Sequence, residues 1–292
     1  MPELPDVSVY VERLSAKAVG HRLERIRIGH PFLLRSVTPP LAAVEGRTLG
    51  GVERLGKRVV LVFEGDFFLV LHLMIAGRLQ WLAAGKTTAP NALAFFEFDS
   101  GTLAFTEAGK QRRASLHLVA GREALAELDA GGIDVMTATP EAFAARLVAE
   151  NHTVKRSLTD PRLFSGIGNA YSDEILHRAR LSPVALTRAL DVATIARLFA
   201  ATQATLAEWT ERLGREAGDW PKKVTAFHPA MAVHGRFGLP CPDCGAPVQR
   251  IVRADNETNY CARCQTGGKL LADRALSRLL KSSWPKHIDE LL

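Results

Sequence analysis

Apolar and polar positions alternate in short runs through the first 120 residues of the chain. The runs Leu23–Ile28, Thr48–Leu55, Arg58–Glu64, Phe67–Leu73, Leu93–Phe98, Leu103–Phe105 and Ser115–Val119 are rich in β-branched and aromatic residues. Turn signals such as Glu64-Gly65-Asp66 and Asp99-Ser100-Gly101 separate them. This spacing predicts a β-sandwich or barrel. Ahead of the strands, Val7–Val19 has helical spacing, with Asp6 near its start as a cap. Pro39-Pro40 and Lys86–Ala92 read as exposed loops.

Beyond Gly121 the period changes. Gly131-Gly132 suggests a linker, and Pro140 stands where a helix can begin. Phe143, Leu147 and Val148 then fall on one helical face, followed by helical patterns over Asn169–Ala179 and Asp191–Leu213. After Asp219-Trp220-Pro221 the pattern is irregular up to a cysteine-rich module. Lys269–Lys281 again places leucines at helical spacing, at Leu270, Leu271, Leu276, Leu279 and Leu280. The expected order is therefore a β domain, a helical domain, a cysteine module and a helical tail.

Composition adds that the chain is globular: 47% of its 292 residues are hydrophobic and 23% charged. No apolar run approaches the roughly 20 residues of a membrane span, and the first residues lack the layout of a secretory signal. A cytoplasmic protein without a membrane partner is expected. The net charge of +6 is unevenly placed. Residues 221–292 hold eleven Lys/Arg against six Asp/Glu, while residues 1–220 hold 26 against 25. A basic end on a nearly neutral body suits a polyanion.

All four cysteines lie in one window, Cys241, Cys244, Cys261 and Cys264, with the spacing C-x2-C-x16-C-x2-C. Each pair can present two sulfurs to one ion, and the residues between the pairs can form a two-stranded hairpin. Disulfides are the alternative, but a reducing compartment disfavours them. One structural Zn2+ with four thiolate ligands is expected. It has no open position for substrate, and it supplies folding energy to a module too small for its own core.

The chain starts Met1-Pro2-Glu3-Leu4-Pro5-Asp6. Proline at the second position is either an accident of composition or a nucleophile. If Met1 is removed, Pro2 offers a secondary amine with a reference pKa of about 8, against about 10.4 for lysine. Attack by such an amine on an aldehyde-level carbon gives an iminium, an electron sink for elimination. Glu3 beside it can donate a proton to the leaving atom. Gly166-Ile167-Gly168-Asn169 admits two readings as well. It is a plain helix–helix turn, or a close approach of backbone to phosphate at a helix start with Asn169 as a further donor.

Taken together, these blocks resemble the formamidopyrimidine-DNA glycosylases, the Fpg/Nei family. The resemblance rests on Met1–Pro5, Gly56-Lys57-Arg58, His72–Leu79, Gly166–Leu176, His234-Gly235-Arg236, Cys241–Gly245 and Thr258–Gln265, all in the family's order. It implies an α+β multidomain chain. An N-terminal β-sandwich with flanking helices would span residues 1–120, a linker 121–139, and a helix–two-turn–helix DNA-binding domain 140–225. A zinc finger would span 226–268 and a helical tail 269–292. It further implies that Pro2 attacks C1′ of the damaged nucleotide, that Glu3 is its acid/base partner, and that Lys57 serves elimination and a nearby phosphate. His72, Ile75, Arg112, Lys155, Asn169 and Asn256 occupy the family's DNA-facing positions.

The chain departs from the family at several of these places. Ile75 stands for a methionine, and Arg112-Arg113-Ala114 for Arg-Arg-Phe, so the family's aromatic wedge is missing. Asn256 replaces the arginine that clamps phosphates in the zinc hairpin, and it lacks both charge and fork. Asp6 replaces a glutamate, and Leu93 a histidine. The lesion-covering loop is reduced to about Asp219–Ala230, where Trp220 and Phe227 either stack on a base or pack inward.

The expected activity is that of a monomeric, bifunctional glycosylase/AP lyase of base-excision repair. It would act on double-stranded DNA containing damaged bases, oxidised purines first, or abasic sites. Strand cleavage would be by β-elimination, with δ-elimination open because of Asn256. The alternatives are a glycosylase for pyrimidine or atypical lesions and a non-catalytic damaged-DNA-binding protein.

Overall fold

The computed structural model describes residues 1–109, 111–222, 224–253, 256–272, 278–279 and 285–291. The chain divides into two compact units. One comprises Met1–Ala130 with Glu208–Thr225, the other Gly131–Ala207 with Ala226–Leu292.

The first unit opens with helix α1 (Leu4–Ala18), which begins earlier than the apolar spacing suggested. Pro5 suits the first turn, where a missing N–H leaves nothing unsatisfied. Glu3, not Asp6, is the cap residue. Asp6 sits three residues further on and accepts the Glu3 N–H at 2.9 Å, the return half of a capping box. Strand β1 (Leu23–Ile28) follows, then β2 (Leu49–Leu55), β3 (Arg58–Phe63), β4 (Phe67–His72), β5 (Gly77–Leu82), β6 (Ala92–Phe98), β7 (Gly101–Glu107), β8 (Ser115–Ala120) and the short helix α2 (Arg122–Ala126).

The strands form two four-stranded sheets, ordered β1-β6-β7-β5 and β2-β3-β4-β8, with antiparallel pairing throughout. Side chains from both sheets and from α1, among them Tyr10, Leu14, Leu61, Leu71, Phe96 and Phe105, share one buried core. The architecture is thus a sandwich. Strand β5 is an addition to the elements expected from sequence. It is an edge strand opened by a glycine, with only Leu79 and Trp81 directed to the core, so its alternating signal is short.

Gly77 is required at that strand start, because a Cβ there would lie 2.2 Å from the Leu73 carbonyl oxygen. Trp220 and Val224 also pack on this core. The Trp220 indole N–H donates to Leu79 O at 3.0 Å, and its ring lies 5.9 Å from Tyr10 and 6.2 Å from Trp81. The inward reading of Trp220 is the one observed.

The second unit contains α3 (Pro140–Val148), α4 (Val154–Thr159), α5 (Asn169–Arg178) and the first part of α6 (Val192–Ala217). Pro140 opens α3 as expected, with the Thr139 hydroxyl accepting the Ala142 N–H at 3.2 Å. Strands β9 (Gln249–Arg253) and β10 (Asn256–Tyr260) form an antiparallel hairpin, and α7 (Ala262–Thr266) follows. Val248, Ile251, Tyr260 and Ile288 make a small core there. The helix expected over Lys269–Lys281 lies largely outside the described residues. The Leu270 N–H donates to Lys286 O at 2.9 Å.

Candidate functional site

Within the first unit the amine end of the chain lies in a partly desolvated cluster of charges. Pro2 and Glu3 are buried, and Met1 is 37% exposed. Burial holds the terminal amine below its ordinary value of 8.0; Glu3 and Asp6 oppose this while Arg78 and Lys57 reinforce it. Glu3, Asp6, Lys57 and Arg78 are therefore all within electrostatic reach of the amine. Asp6 is pushed from an ordinary 3.8 to about 7, chiefly by burial and partly by the Glu3 charge, while the Glu3 N–H bond pulls the other way.

Lys57 projects from the β2–β3 turn. Gly56 there has a φ of 62°, a left-handed conformation that suits glycine, and Arg54 Nη1 donates to Gly56 O at 3.0 Å, bracing the turn. Burial lowers the Lys57 ammonium below its usual range, and Glu3 raises it. The sequence-expected trio of Pro2, Glu3 and Lys57 is brought together.

His72 ends β4, paired with Arg58 on one side and Ser115 on the other. Burial pushes its imidazole down to about 4, with the Arg58, Lys57 and His117 charges adding to the effect. At that value the ring is neutral at pH 7. Ile75 occupies the β4–β5 turn and is 58% exposed. Arg78 shapes that turn, its Nη1 donating to Ile75 O at 3.2 Å and Gly77 O at 2.6 Å. Arg112 is exposed on the loop between β7 and β8. The buried Glu107 carboxylate anchors this loop, accepting the Arg113 N–H at 3.0 Å and the Ala114 N–H at 3.1 Å. Arg78 and Glu107 were not singled out in the sequence. Their roles depend on a turn geometry that no local pattern announces.

Within the second unit, Lys155 and Asn169 are engaged internally. Lys155 Nζ donates to Asp173 Oδ1 at 2.5 Å, Ser172 Oγ at 3.1 Å and the Asn169 carbonyl at 3.2 Å. Asn169 Nδ2 donates to Glu257 O at 2.9 Å, tying the start of α5 to β10. The other Asp173 oxygen meets His234 Nδ1 at 2.8 Å and accepts the Asn259 N–H at 3.1 Å. Glu174 accepts the N–H groups of Ala232, Val233 and His234 at 2.7 to 2.9 Å. The adjacent acids Asp173 and Glu174 thus join α5 to the loop before the cysteines and to the hairpin. Asn256 opens β10 opposite Arg253 and is exposed.

The four cysteines converge and none is in a disulfide. Their ligand atoms all lie within 4.8 Å of one another, with Sγ–Sγ distances of 3.9 Å for Cys241–Cys264 and 3.3 Å for Cys244–Cys261. A tetrahedral ZnS4 site with Zn–S of about 2.3 Å has edges of about 3.8 Å, so the set fits one zinc ion. Two further bonds shape the ligand loops: the Gly245 N–H donates to Cys241 O at 2.9 Å, and the Cys261 N–H donates to Gln265 Oε1 at 2.8 Å. His177 Nε2 lies 3.3 Å from Cys241 Sγ, a contact suited to orienting that thiolate. No pattern in the sequence singles out His177, which comes from a distant helix.

Three comparisons bear on this arrangement. The formamidopyrimidine-DNA glycosylase N-terminal domain matches residues 1–115, the H2TH domain of the same proteins matches 133–217, and the zinc finger found in FPG and IleRS matches 238–267. The formamidopyrimidine-DNA glycosylase of Thermus thermophilus is 34% identical over 279 residues, covering 92% of this chain and 100% of that protein. The crystal structure of the MutM (Fpg) protein from Thermus thermophilus has a TM-score of 0.76 at 33% identity, with 90% of this chain and 98% of that one covered. Lactococcus lactis Fpg, solved in complex with DNA containing an abasic site, shares the fold with a TM-score of 0.81 at 24% identity. Coverage there is 90% of this chain and 99% of that one. Among the described residues no helix is long and apolar enough to cross a membrane.

Proposed function

The chain belongs to the formamidopyrimidine-DNA glycosylase family, and we propose that it is a base-excision repair DNA glycosylase and AP lyase acting on double-stranded DNA at the nucleoid. Its substrates are damaged bases, oxidised purines such as 8-oxoguanine and formamidopyrimidines first, and abasic sites. The observation that carries this reading is the desolvated cluster formed by the amine end, Glu3, Asp6, Lys57 and Arg78.

With Met1 in place the Pro2 nitrogen is an amide and cannot attack. Removal of Met1 frees a secondary amine, and the burial that lowers the Met1 amine favours an unprotonated Pro2 in the same surroundings. The Pro2 nitrogen then forms a bond to C1′ as the glycosidic bond breaks, with its electron pair leaving on the base. Glu3 supplies a proton at the sugar ring oxygen, and ring opening gives an iminium between Pro2 and C1′. Loss of a C2′ proton sends electrons towards the iminium and expels the 3′ phosphate, which is β-elimination. Lys57, biased by burial towards its neutral form, suits the proton movements of this step. Neutral His72, exposed Arg112, Lys155, Asn169 and Asn256 are the proposed DNA contacts. The bound zinc, held by Cys241, Cys244, Cys261 and Cys264, would fix the β9–β10 hairpin and take no part in the chemistry.

Borohydride trapping on duplex DNA with one abasic site tests the reading. A covalent protein–DNA product is expected from the wild type and none from Pro2→Gly, with mass spectrometry showing Met1 absent from the active protein. A wild-type protein that binds the duplex without being trapped refutes the lyase.

A further inference from the structure

Phe32 lies outside both the amine-end cluster and the cysteine site. It lies in a single 3-10 turn, Pro31–Leu33, between β1 and β2. The next side chain, Leu33, is buried at 2% exposure, while Phe32 is 72% exposed. A lone exposed ring is unremarkable in itself, but the surroundings of this one are specific. Its neighbours around a shared surface concavity are His30, Arg35, Gly109 and Arg112. The His30 ring lies 5.7 Å away at a 50° tilt. The setting is an aromatic ring flanked by two arginines and a histidine, with no acidic residue lining the hollow among the described residues.

The backbone register puts this ring at one end of the sandwich. Leu34 bridges Leu116 in parallel, and the Arg35 N–H donates to Leu116 O at 2.8 Å, so the Phe32 turn runs beside the start of β8. Strand β8 begins at Ser115 opposite His72, the last residue of β4. The turn carrying Ile75 leaves the sheets at that end, and so does the loop carrying Arg112. Ala114, in this same loop, is 4% exposed and belongs to the core, with its N–H held by Glu107. That position faces inward and has no ring to offer, whereas Phe32 faces outward.

We propose that Phe32 is the aromatic wedge of this protein: its ring enters the DNA base stack beside the damaged nucleotide and fills the gap left when that nucleotide rotates out. Arg35 and Arg112 attract the flanking phosphates and base edges. This rests on the glycosylase reading above. A vacated stack presents two apolar base faces, and a flat ring covers them regardless of sequence. The adjoining guanidinium groups supply the charge complementarity that brings a polyanion to the hollow.

The test compares two rates in single turnover with full-length zinc-loaded protein. One is excision from duplexes carrying whichever of formamidopyrimidine, 8-oxoguanine or thymine glycol the wild type removes fastest. The other is strand cleavage at a preformed abasic site, where no base has to be extruded. Phe32→Ala should slow the first about tenfold and leave the second within about twofold, and 2-aminopurine placed beside the lesion should report correspondingly less unstacking. Phe32→Trp should restore excision, and Val37→Ala, which removes another exposed apolar side chain of the same segment, should match wild type. Equal excision and unstacking by Phe32→Ala and wild type would overturn the wedge while the lyase reading stands. A wild-type protein that cannot be trapped on abasic DNA would overturn both.

Discussion

Asp6 provides a quantitative test of the charge cluster around the amine end. It is 7% exposed and its carboxyl is raised from an ordinary 3.8 to about 7. A raised acid means that the folded state holds a proton which the unfolded state releases. Stability contributed by the neutral acid is therefore complete below about pH 4 and is lost as pH rises through the window from 3.8 to about 7. At about 1.36 kcal/mol per pH unit, the full loss is about 4 kcal/mol, of which about 3 kcal/mol falls between pH 5 and pH 8. Asp6→Asn removes the titration, and its carbonyl oxygen can still accept the Glu3 N–H. The assay is urea unfolding of both proteins at pH 5 and pH 8, with zinc and ionic strength held constant. Tryptophan fluorescence serves as the readout because Trp81 and Trp220 both pack on the core of this unit. The variant should gain about 3 kcal/mol on wild type between the two pH values. An equal difference at pH 5 and pH 8 would mean that Asp6 titrates normally and that its burial does not raise it.

Other consequences concern the zinc hairpin and the turns of the sandwich. His177→Ala removes the hydrogen bond to Cys241 Sγ and should weaken zinc affinity by about 10- to 100-fold, measured by competition with a chromogenic chelator; unchanged affinity would deny His177 a part in orienting the thiolate. Asn256→Arg should shift the products of abasic-site cleavage from a 3′ unsaturated aldehyde towards 3′-phosphate, as a charged fork grips a phosphate more firmly than the uncharged asparagine amide. Gel analysis of the ends reads this out, and predominant 3′-phosphate from the wild type would remove the reason for the change. Gly77→Ala forces a Cβ to within 2.2 Å of Leu73 O and should destabilise the protein by about 2 kcal/mol or more through displaced backbone. Thermal unfolding tests this, and a wild-type melting temperature would show that the turn can open without loss.

Much of the fold could be read because period and packing agree. In β3 and β4, runs such as Val59–Val62 and Phe68–Leu71 are buried almost throughout, so β-branched and aromatic residues fall where two layers must meet. The cysteines were legible for a related reason, since C-x2-C spacing is itself a geometric statement about two sulfurs on one turn. What escaped depends on contacts between residues distant in sequence. Strand β5 touches only one neighbour and carries two inward side chains. The Asp6 carboxylate stands at a helix start, where sequence suggests a cap, yet the cap residue is Glu3, because Pro5 allows the helix to begin one turn sooner.

The candidate site divides along the same line. Pro2 and Glu3 can be named because their chemistry shows in residue type, whereas Lys57 is named through the family resemblance; the turn lysine and the chain end then converge on one cluster. The DNA-facing positions rest on the family resemblance, which does not reveal competing partners within this chain. Lys155 reads as a phosphate-seeking cation, but its ammonium contacts three oxygens of its own unit, one of them a buried carboxylate. A lysine so held acts first on geometry: it neutralises Asp173, whose second oxygen orders the hairpin through the Asn259 N–H. Removing it takes the ammonium from a buried carboxylate that keeps His234 and the Asn259 N–H, so the cost falls at the lower end of the range of about 3–5 kcal/mol for breaking a buried pair. Loss of DNA binding in Lys155→Ala is then expected together with a loosened hairpin. Lys155→Met with Asp173→Asn, which removes both charges, separates the two effects. Recovery of hairpin protection from hydrogen exchange without recovery of affinity assigns Lys155 to the phosphate, and recovery of both assigns it to the scaffold.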